Sequence, residues 1–261
     1  MIPNPFTLAA ALSSALLLTG CATTLPAPVE PTRNISGSCQ PVFGSQICSW
    51  GQMSGAKVVA TGVTVPMAAL EQTPSNVPMV WPPAADAVVA MPAEIQQATG
   101  VDVFTFYWEE HGHPPAPFMT PHFDFHFYTV SDAARKAIDC SNKLKPAMLT
   151  AGYVLPDEEI PGIGVLTGVC IPAMGMHSLE TVSVQGTTPF HSTMVLGYYD
   201  GKPIFFEPMI AKAALLERKS FSLPLPTPAG VPAGTHFPTR FEAVYDASIP
   251  GYRFVFSGFP D

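Results

Sequence analysis

Residues 121–128 read Pro-His-Phe-Asp-Phe-His-Phe-Tyr, and the alternation within them decides the fold. His122, Asp124 and His126 hold the even positions; Phe123, Phe125 and Phe127 hold the odd ones. A period of two is the period of a β-strand, so one face carries three metal-capable side chains and the other a row of rings. The rings call for a core. The polar face calls for water or for a site. At ~3.3 Å per residue, side chains two apart start roughly 6.6 Å from each other and can converge on one ion. His122 and His126 start about 13 Å apart and cannot share one without a bulge. The spacing predicts a single site built on Asp124 and one of the two histidines, with ligands from other strands. The other histidine is left as a supporting or acid–base group.

Working outward, residues 101–108 form a second strand pattern, with Phe104, Phe106 and Trp108 on one face, and it is expected to pair antiparallel with the first. Asp200-Gly201 between residues 190–199 and 202–207 is a type I′ hairpin signal. That turn sets Tyr199 opposite Lys202 and Met194 opposite Glu207, with Glu207 at the strand end and Pro208 opening a helix to about Arg218. Residues 240–245 and 252–256 read as two closing strands. Helical stretches are short: one or two turns after Pro66, residues 93–98 stopped by Gly100, and residues 133–140 capped by Ser131. The fold class is α+β, a mainly antiparallel β-sheet, sandwich- or barrel-like, with a few short helices.

Composition agrees. Charged residues are 12% of the chain against a usual ~25%, and 30 of 261 residues are proline, which disfavours long helices. The net charge is −8, from 20 acidic against 12 basic residues, and no basic stripe exists to neutralise phosphates; nucleic acid is excluded as a partner.

Leu8 to Leu18 is an apolar run too short to span a bilayer, and it ends in Leu18-Thr19-Gly20-Cys21. That resembles a bacterial lipoprotein cleavage box, in which the cut falls before Cys21 and its thiol accepts the lipid. No Lys or Arg precedes Arg33, so the usual basic segment is missing; the alternative is an ordinary secretory signal cut elsewhere. The expected organisation is a leader over 1–20, a Pro-rich tether and disulfide loop over 21–55, and one mainly β domain over 56–261 that closes with a hairpin. The implied location is the cell envelope, as a periplasm-facing or surface lipoprotein of the outer membrane, with the membrane as partner through the lipid on Cys21. Four cysteines then remain, Cys39, Cys48, Cys140 and Cys170, and in an oxidising compartment they read as two disulfides. Three connectivities are open; Cys39–Cys48 with Cys140–Cys170 is favoured because the first pair closes a short loop around Pro41 and Gly44.

Beyond the alternating strand, His111-Gly112-His113 is a two-histidine unit of a kind that binds zinc, copper or iron, though Gly112 makes it a turn in which the rings diverge. Met174-Gly175-Met176-His177 follows Pro172 and is placed to bring His177 to the Asp124 face, with Glu180 three residues on. Met119, Met174, Met176 and Met194 are softer candidates for Cu(I), though methionine more often fills core gaps. Glu207 is a further carboxylate. The chain has no G-x-S-x-G elbow, H-E-x-x-H helix, G-x-G-x-x-G or P-loop, and His191 and Ser192, adjacent on a strand, face opposite ways.

Taken together, Trp108, Gly112-His113-Pro114-Pro115, the 121–128 block, Met174-Gly175-x-His177, Gly197 to Gly201 and Phe206-Glu207-Pro208-Met209-Ile210 resemble a bacterial domain-of-unknown-function family typified by a Thermus protein under extracytoplasmic sigma-factor control. The likeness runs over about residues 57–220. It departs at Ser178, where the family shows Trp, and at Glu109-Glu110, where it shows Asn-Pro. The resemblance implies a compact, largely β exported domain and joins His113, His122, Asp124, His126, His177 and Glu207 in one cluster; it implies no activity. The expected function is a lipid-anchored protein with a His/Asp/Glu site for a divalent ion, zinc before copper or iron. Two alternatives stand beside it. One is a non-catalytic envelope protein, a homo-oligomer or small-ligand binder, in which the cluster is a hydrogen-bond network. The other is an enzyme using Asp124 and His126 as a metal-free acid–base pair.

Overall fold

The computed structural model describes Met1 and residues 30–260 apart from 79, 187 and 188. The leader and Cys21 lie outside the described residues.

The chain opens with a hairpin, β1 (Thr32–Val42) and β2 (Ser45–Ser54), followed by β3 (Lys57–Pro66). Residues 32–54 were expected to be tether and loop; instead they are integral to a sheet, so the β architecture begins at 32 rather than 56. The inward positions of β2 are Ile47, Ser49, Gly51 and Met53, a period-two pattern carried partly by small residues. Gly51 lies directly beneath Ile95, where a Cβ would come within 2.5 Å of the side chain. A strand whose inward face is partly Ser and Gly looks like loop in composition.

Next come helix α1 (Met67–Glu71), strand β4 (Ala87–Ala90) and helix α2 (Ala93–Thr99), which ends at Gly100 with φ 78° as anticipated. The central strands β5 (Val103–Glu109) and β6 (His122–Tyr128) pair antiparallel, with Phe106 opposite Phe125 and Glu109 opposite His122. Helix α3 (Asp132–Lys136) is capped by Ser131, whose side chain accepts from the Ala134 N–H. Short strands β7 (Tyr153–Val154), β8 (Glu158–Ile160) and β9 (Gly164–Leu166) lead to β10 (Met176–Glu180) and helix α4 (Thr181–Val184). The Asp200-Gly201 hairpin joins β11 (Ser192–Tyr199) to β12 (Lys202–Ala211), then come helix α5 (Lys212–Leu216) and strand β13 (Phe221–Pro224). The hairpin of β14 (Arg240–Asp246) and β15 (Gly251–Ser257) closes the order, as read from the sequence.

Two expectations about the 190–218 region need correction. Pro208 does not open a helix: β12 continues to Ala211 and the helix starts at Lys212. Pro208 sits opposite Met194 inside the sheet, so Glu207 is a mid-strand residue and not a helix cap. Tyr199 does face Lys202, but the register shifts between Gly197 and Tyr198, and Glu207 faces Val195 instead of Met194. One extra residue, Ile204, is taken up in β12 as a bulge, which a turn-based register cannot anticipate.

Two large open antiparallel sheets result, stacked as a sandwich rather than closed as a barrel, with β8 and β9 paired as a separate two-stranded sheet. One runs β1-β2-β3-β15-β14-β13; the other runs β4-β5-β6-β12-β11-β10-β7. The ring face of β6 meets the first sheet: Phe125 lies 4.5 Å from Phe254 and Phe127 4.5 Å from Phe256, centroid to centroid, with Phe206 4.7 Å from Phe256. Each buried ring is worth roughly 1.5–3 kcal/mol, so this seam dominates the cohesion of the sandwich. With the rings committed inward, His122, Asp124 and His126 fall on the outer face of the second sheet. Disulfides close Cys39–Cys48 across the first hairpin and Cys140–Cys170 beneath β10, the pairing favoured from the sequence. Among the described residues no helix is long and apolar enough to cross a membrane.

Candidate metal centre

The outer face of β6 collects the predicted residues, but as two groups rather than one cluster. His113, His122 and Asp124 form an outer group; His126, His177 and Glu207 form an inner one. Asp124 therefore sides with His122, and the acid–base pairing of Asp124 with His126 gives way to contacts of His126 with Glu207 and His177. The roughly 13 Å of strand from His122 to His126 keeps the two histidines from sharing one ion and sets the groups side by side along β6.

In the outer group, β6 supplies two residues and the 110–120 loop supplies the third. Gly112 takes φ 66°, and a Cβ there would meet the Phe118 carbonyl at 2.1 Å, so the turn that aims His113 inward needs glycine. His111, on the other side of the turn, is 55% exposed and lies outside the group. The His113 and His122 Nε2 atoms are 3.1 Å apart. His122 Nε2 is 3.2 Å from Asp124 Oδ1, and His113 Nε2 is 3.6 Å from Asp124 Oδ2. Each ring is oriented from behind: His113 Nδ1 meets the Pro114 carbonyl at 2.9 Å and His122 Nδ1 the Thr120 carbonyl at 2.7 Å. A carbonyl only accepts, so both Nδ1 atoms carry the hydrogen, and in the neutral rings both Nε2 atoms present lone pairs to the carboxylate and to each other. Three acceptors thus converge with no hydrogen among them. Phe190 stacks edge-on to His122 at 5.3 Å and Phe118 to His113 at 6.2 Å, forming an apolar wall.

Without an ion, a proton takes the place of the missing charge. Burial works against a charged His113, but the Asp124 hydrogen bond and charge outweigh it and push the imidazole up to about 9. Burial also opposes ionisation of Asp124; His122 and His113 overcome it and hold the carboxyl well below its usual range.

The inner group comes from three strands of the same sheet. The register places Glu207 across from His126, and His177 lies opposite Gly197. His126 Nε2 is 3.4 Å from Glu207 Oε2 and 3.4 Å from His177 Nε2; His177 Nε2 to Glu207 Oε2 is 4.0 Å. His177 Nδ1 donates to the Val169 carbonyl at 2.9 Å, the same rear orientation seen in the outer group. Burial pushes His177 down to about 4, and burial together with His177 holds His126 well below the usual imidazole range. Burial, then the Asp124 charge, drives Glu207 well above the normal carboxyl range.

Glu109 escaped the sequence reading. It stands opposite His122, and burial followed by the charge of Asp124 pushes its carboxyl up to about 7. The signal was parity: positions 105, 107 and 109 share the face that pairs with His126, Asp124 and His122. Other candidates drop away. Glu180 accepts from Thr193 and Ser183 outside both groups, Met119 is exposed, and Met194 faces Pro208 on the opposite side of the sheet.

Among the described residues, nine buried side-chain N or O atoms lack a hydrogen-bond partner, and five belong to this face: Thr105, Asp124, His126, Tyr128 and Glu207. Buried polar atoms are nearly always paired, and the Asp124 and Glu207 carboxylate oxygens among these are ones that a bound cation could satisfy. Tetrahedral zinc with bonds of ~2.0–2.1 Å has ligand-to-ligand edges of about 3.3 Å. The outer group sets its two Nε2 atoms 3.1 Å apart and 3.2 and 3.6 Å from different oxygens of the Asp124 carboxylate, and one ligand atom from each residue lies within 4.8 Å of the others, close enough for one ion to span.

Residues 54–108 match the family model named TTHB210-like, described as hypothetical protein TTHB210. This is the Thermus-typified family of unknown function that the motifs resemble. The matched stretch covers β3 to β5 and ends before His113, so all six grouped residues lie beyond it. No curated protein and no solved structure matches the chain.

Proposed function

We propose that the chain is an exported, lipid-anchored protein that holds a divalent ion, zinc in the first place, between His113, His122 and Asp124. The observation that carries this reading is the 3.1 Å approach of two Nε2 lone pairs beside a buried carboxylate, with both Nδ1 atoms already spent on carbonyls. A divalent cation satisfies all three acceptors at once, and rear hydrogen bonds of this kind orient histidine ligands and raise their basicity. Two nitrogens and one carboxylate also suit iron, and imidazole suits copper, so the donor set narrows the metal without naming it. Three protein ligands leave a coordination position open, and His113 is 37% exposed at its side chain, so a water on the ion could reach solvent.

Export and anchoring rest on other features. The Leu18-Thr19-Gly20-Cys21 box follows a short apolar run. The four downstream cysteines are all engaged in disulfides, which persist in oxidising compartments.

Elemental analysis of protein purified from the envelope without an affinity tag tests the ion. The expected result is a stoichiometric metal that His122→Ala loses. Absence of any stoichiometric metal would overturn the reading and leave the outer group as a hydrogen-bond network. Mass analysis of the mature N-terminus tests the anchor: a chain starting at an acylated Cys21 supports it, and an unmodified start elsewhere removes it.

A further inference from the structure

We infer that His126, His177 and Glu207 form a second, separate ion site that is sealed inside the protein and structural in character. The inference does not depend on the outer group holding an ion.

The three residues arrive from three strands, β6, β10 and β12, and none is on a loop. His126 is 1% exposed, Glu207 2% and His177 8%. His177 Nδ1 spends its hydrogen on the Val169 carbonyl, so His177 Nε2 is an acceptor. It faces His126 Nε2 at 3.4 Å while Glu207 Oε2 stands 3.4 Å from that same nitrogen. A hydrogen on His126 Nε2 can serve one of these two acceptors, not both. Glu207 Oε2 is without a partner, and so is His126 Nδ1. A buried acceptor left unsatisfied costs about 1–3 kcal/mol, more if charged. One divalent ion bound to both Nε2 atoms and the carboxylate satisfies Glu207 Oε2 and relieves the competition for His126 Nε2, with His126 Nδ1 left carrying the ring's hydrogen.

The surroundings are built to exclude water and keep the geometry. Phe205 packs against both imidazoles, 4.9 Å from His126 and 5.1 Å from His177. Tyr128 stacks parallel to His126 at 5.6 Å. Gly197, between β12 and β10, leaves the space Phe205 occupies: a Cβ there would fall 1.9 Å from the ring. The outer group has a half-buried histidine on a loop, whereas all three residues of this one are buried and on strands. An ion here ties the β6–β12 pair to β10 across β11 and exchanges slowly.

Counting ions by native mass spectrometry before and during chelation by EDTA tests this on the unmodified protein, so no variant needs to fold. The expected result is two ions per chain, one leaving quickly and one persisting at least tenfold longer. Glu207→Gln, which keeps shape and removes charge, should lose only the slow ion, and His122→Ala only the fast one. A single ion lost with His122→Ala and kept with Glu207→Gln overturns the second site while sparing the outer one. A single ion lost only with Glu207→Gln does the reverse. No ion at all sinks both, and a neutral Glu207 donating to His126 is then the arrangement that remains.

Discussion

His113 and His122 meet through their Nε2 atoms at 3.1 Å, although they come from a loop and a strand and each has its other nitrogen tied to a carbonyl. Two neutral rings oriented this way repel, so the contact requires a cation or a proton between them. Replacing His122 with Ala removes one ligand and leaves Asp124 with one partner in a buried setting. Losing a mere supporting hydrogen bond around a metal costs ~10–100-fold in affinity; losing His122 should cost more than that. Titration of chelator-stripped protein with zinc, followed by competition with a chromophoric chelator, measures it.

The same contact sets a pH dependence. In the ion-free protein His113 holds its proton up to about 9, against ~6.5 for a free imidazole. Ion binding must expel that proton. Between about pH 6.5 and 9 apparent affinity at the outer site should therefore rise by up to about tenfold per pH unit, flattening above 9. The ion-free fold behaves oppositely: a raised imidazole stabilises it fully below about 6.5, and that contribution is lost as pH climbs through 9. Calorimetric titrations in buffers of different ionisation enthalpy should report close to one proton released per ion at pH 8. Release of none would show that His113 is neutral beforehand.

Phe127 sits in the seam between the sheets, 4.5 Å from Phe256 and 5.6 Å from Phe206. Phe127→Ala should destabilise by about 3–5 kcal/mol, lowering Tm by roughly 10 °C for a domain of this size. It should leave ion stoichiometry intact at temperatures where the variant is folded, because the ring lies on the opposite face of β6 from both groups.

How much of this was legible in the sequence depended on how local the cause was. The parity of His122, Asp124 and His126 needs only the strand period, and it correctly put all three on one face away from the rings. The roughly 13 Å of strand between the two histidines likewise kept them from sharing one ion, yet the resemblance joined all six residues in a single cluster where the structure sets two groups. Assigning partners needs the order β6-β12-β11-β10, which no local pattern encodes. The Ile204 bulge then shifts Glu207 by one residue, and Pro208 disguises the strand as a helix start. β2 was missed because Ser49 and Gly51 occupy inward positions that aliphatic residues usually hold.

Gly197 is a spacing residue for the inner group. Its Cβ would land 1.9 Å from Phe205, whose ring contacts His126 and His177. Gly197→Ala should cost about 1–3 kcal/mol through overpacking. Because the displaced ring is the wall of the inner group, the slow ion should leave faster in this variant while the fast one is unchanged. Equal effects on both ions would mean a general loosening instead.

The Cys140–Cys170 disulfide closes a 30-residue separation, and a loop of that size is worth about 3–4 kcal/mol in the chain-entropy view. Cys170 immediately follows Val169, whose carbonyl accepts from His177 Nδ1, so the cross-link also fixes the acceptor that orients this ring. Cys140→Ser with Cys170→Ser should therefore lower the urea midpoint and, separately, shorten the lifetime of the inner ion. Cys39–Cys48 spans only nine residues on the other sheet, and its Ser/Ser counterpart should lower stability less and leave ion lifetimes alone. Urea melts and chelation kinetics on the two double variants decide the matter. If both variants speed ion loss equally, the disulfide beneath β10 acts only through global stability and not through the orientation of His177.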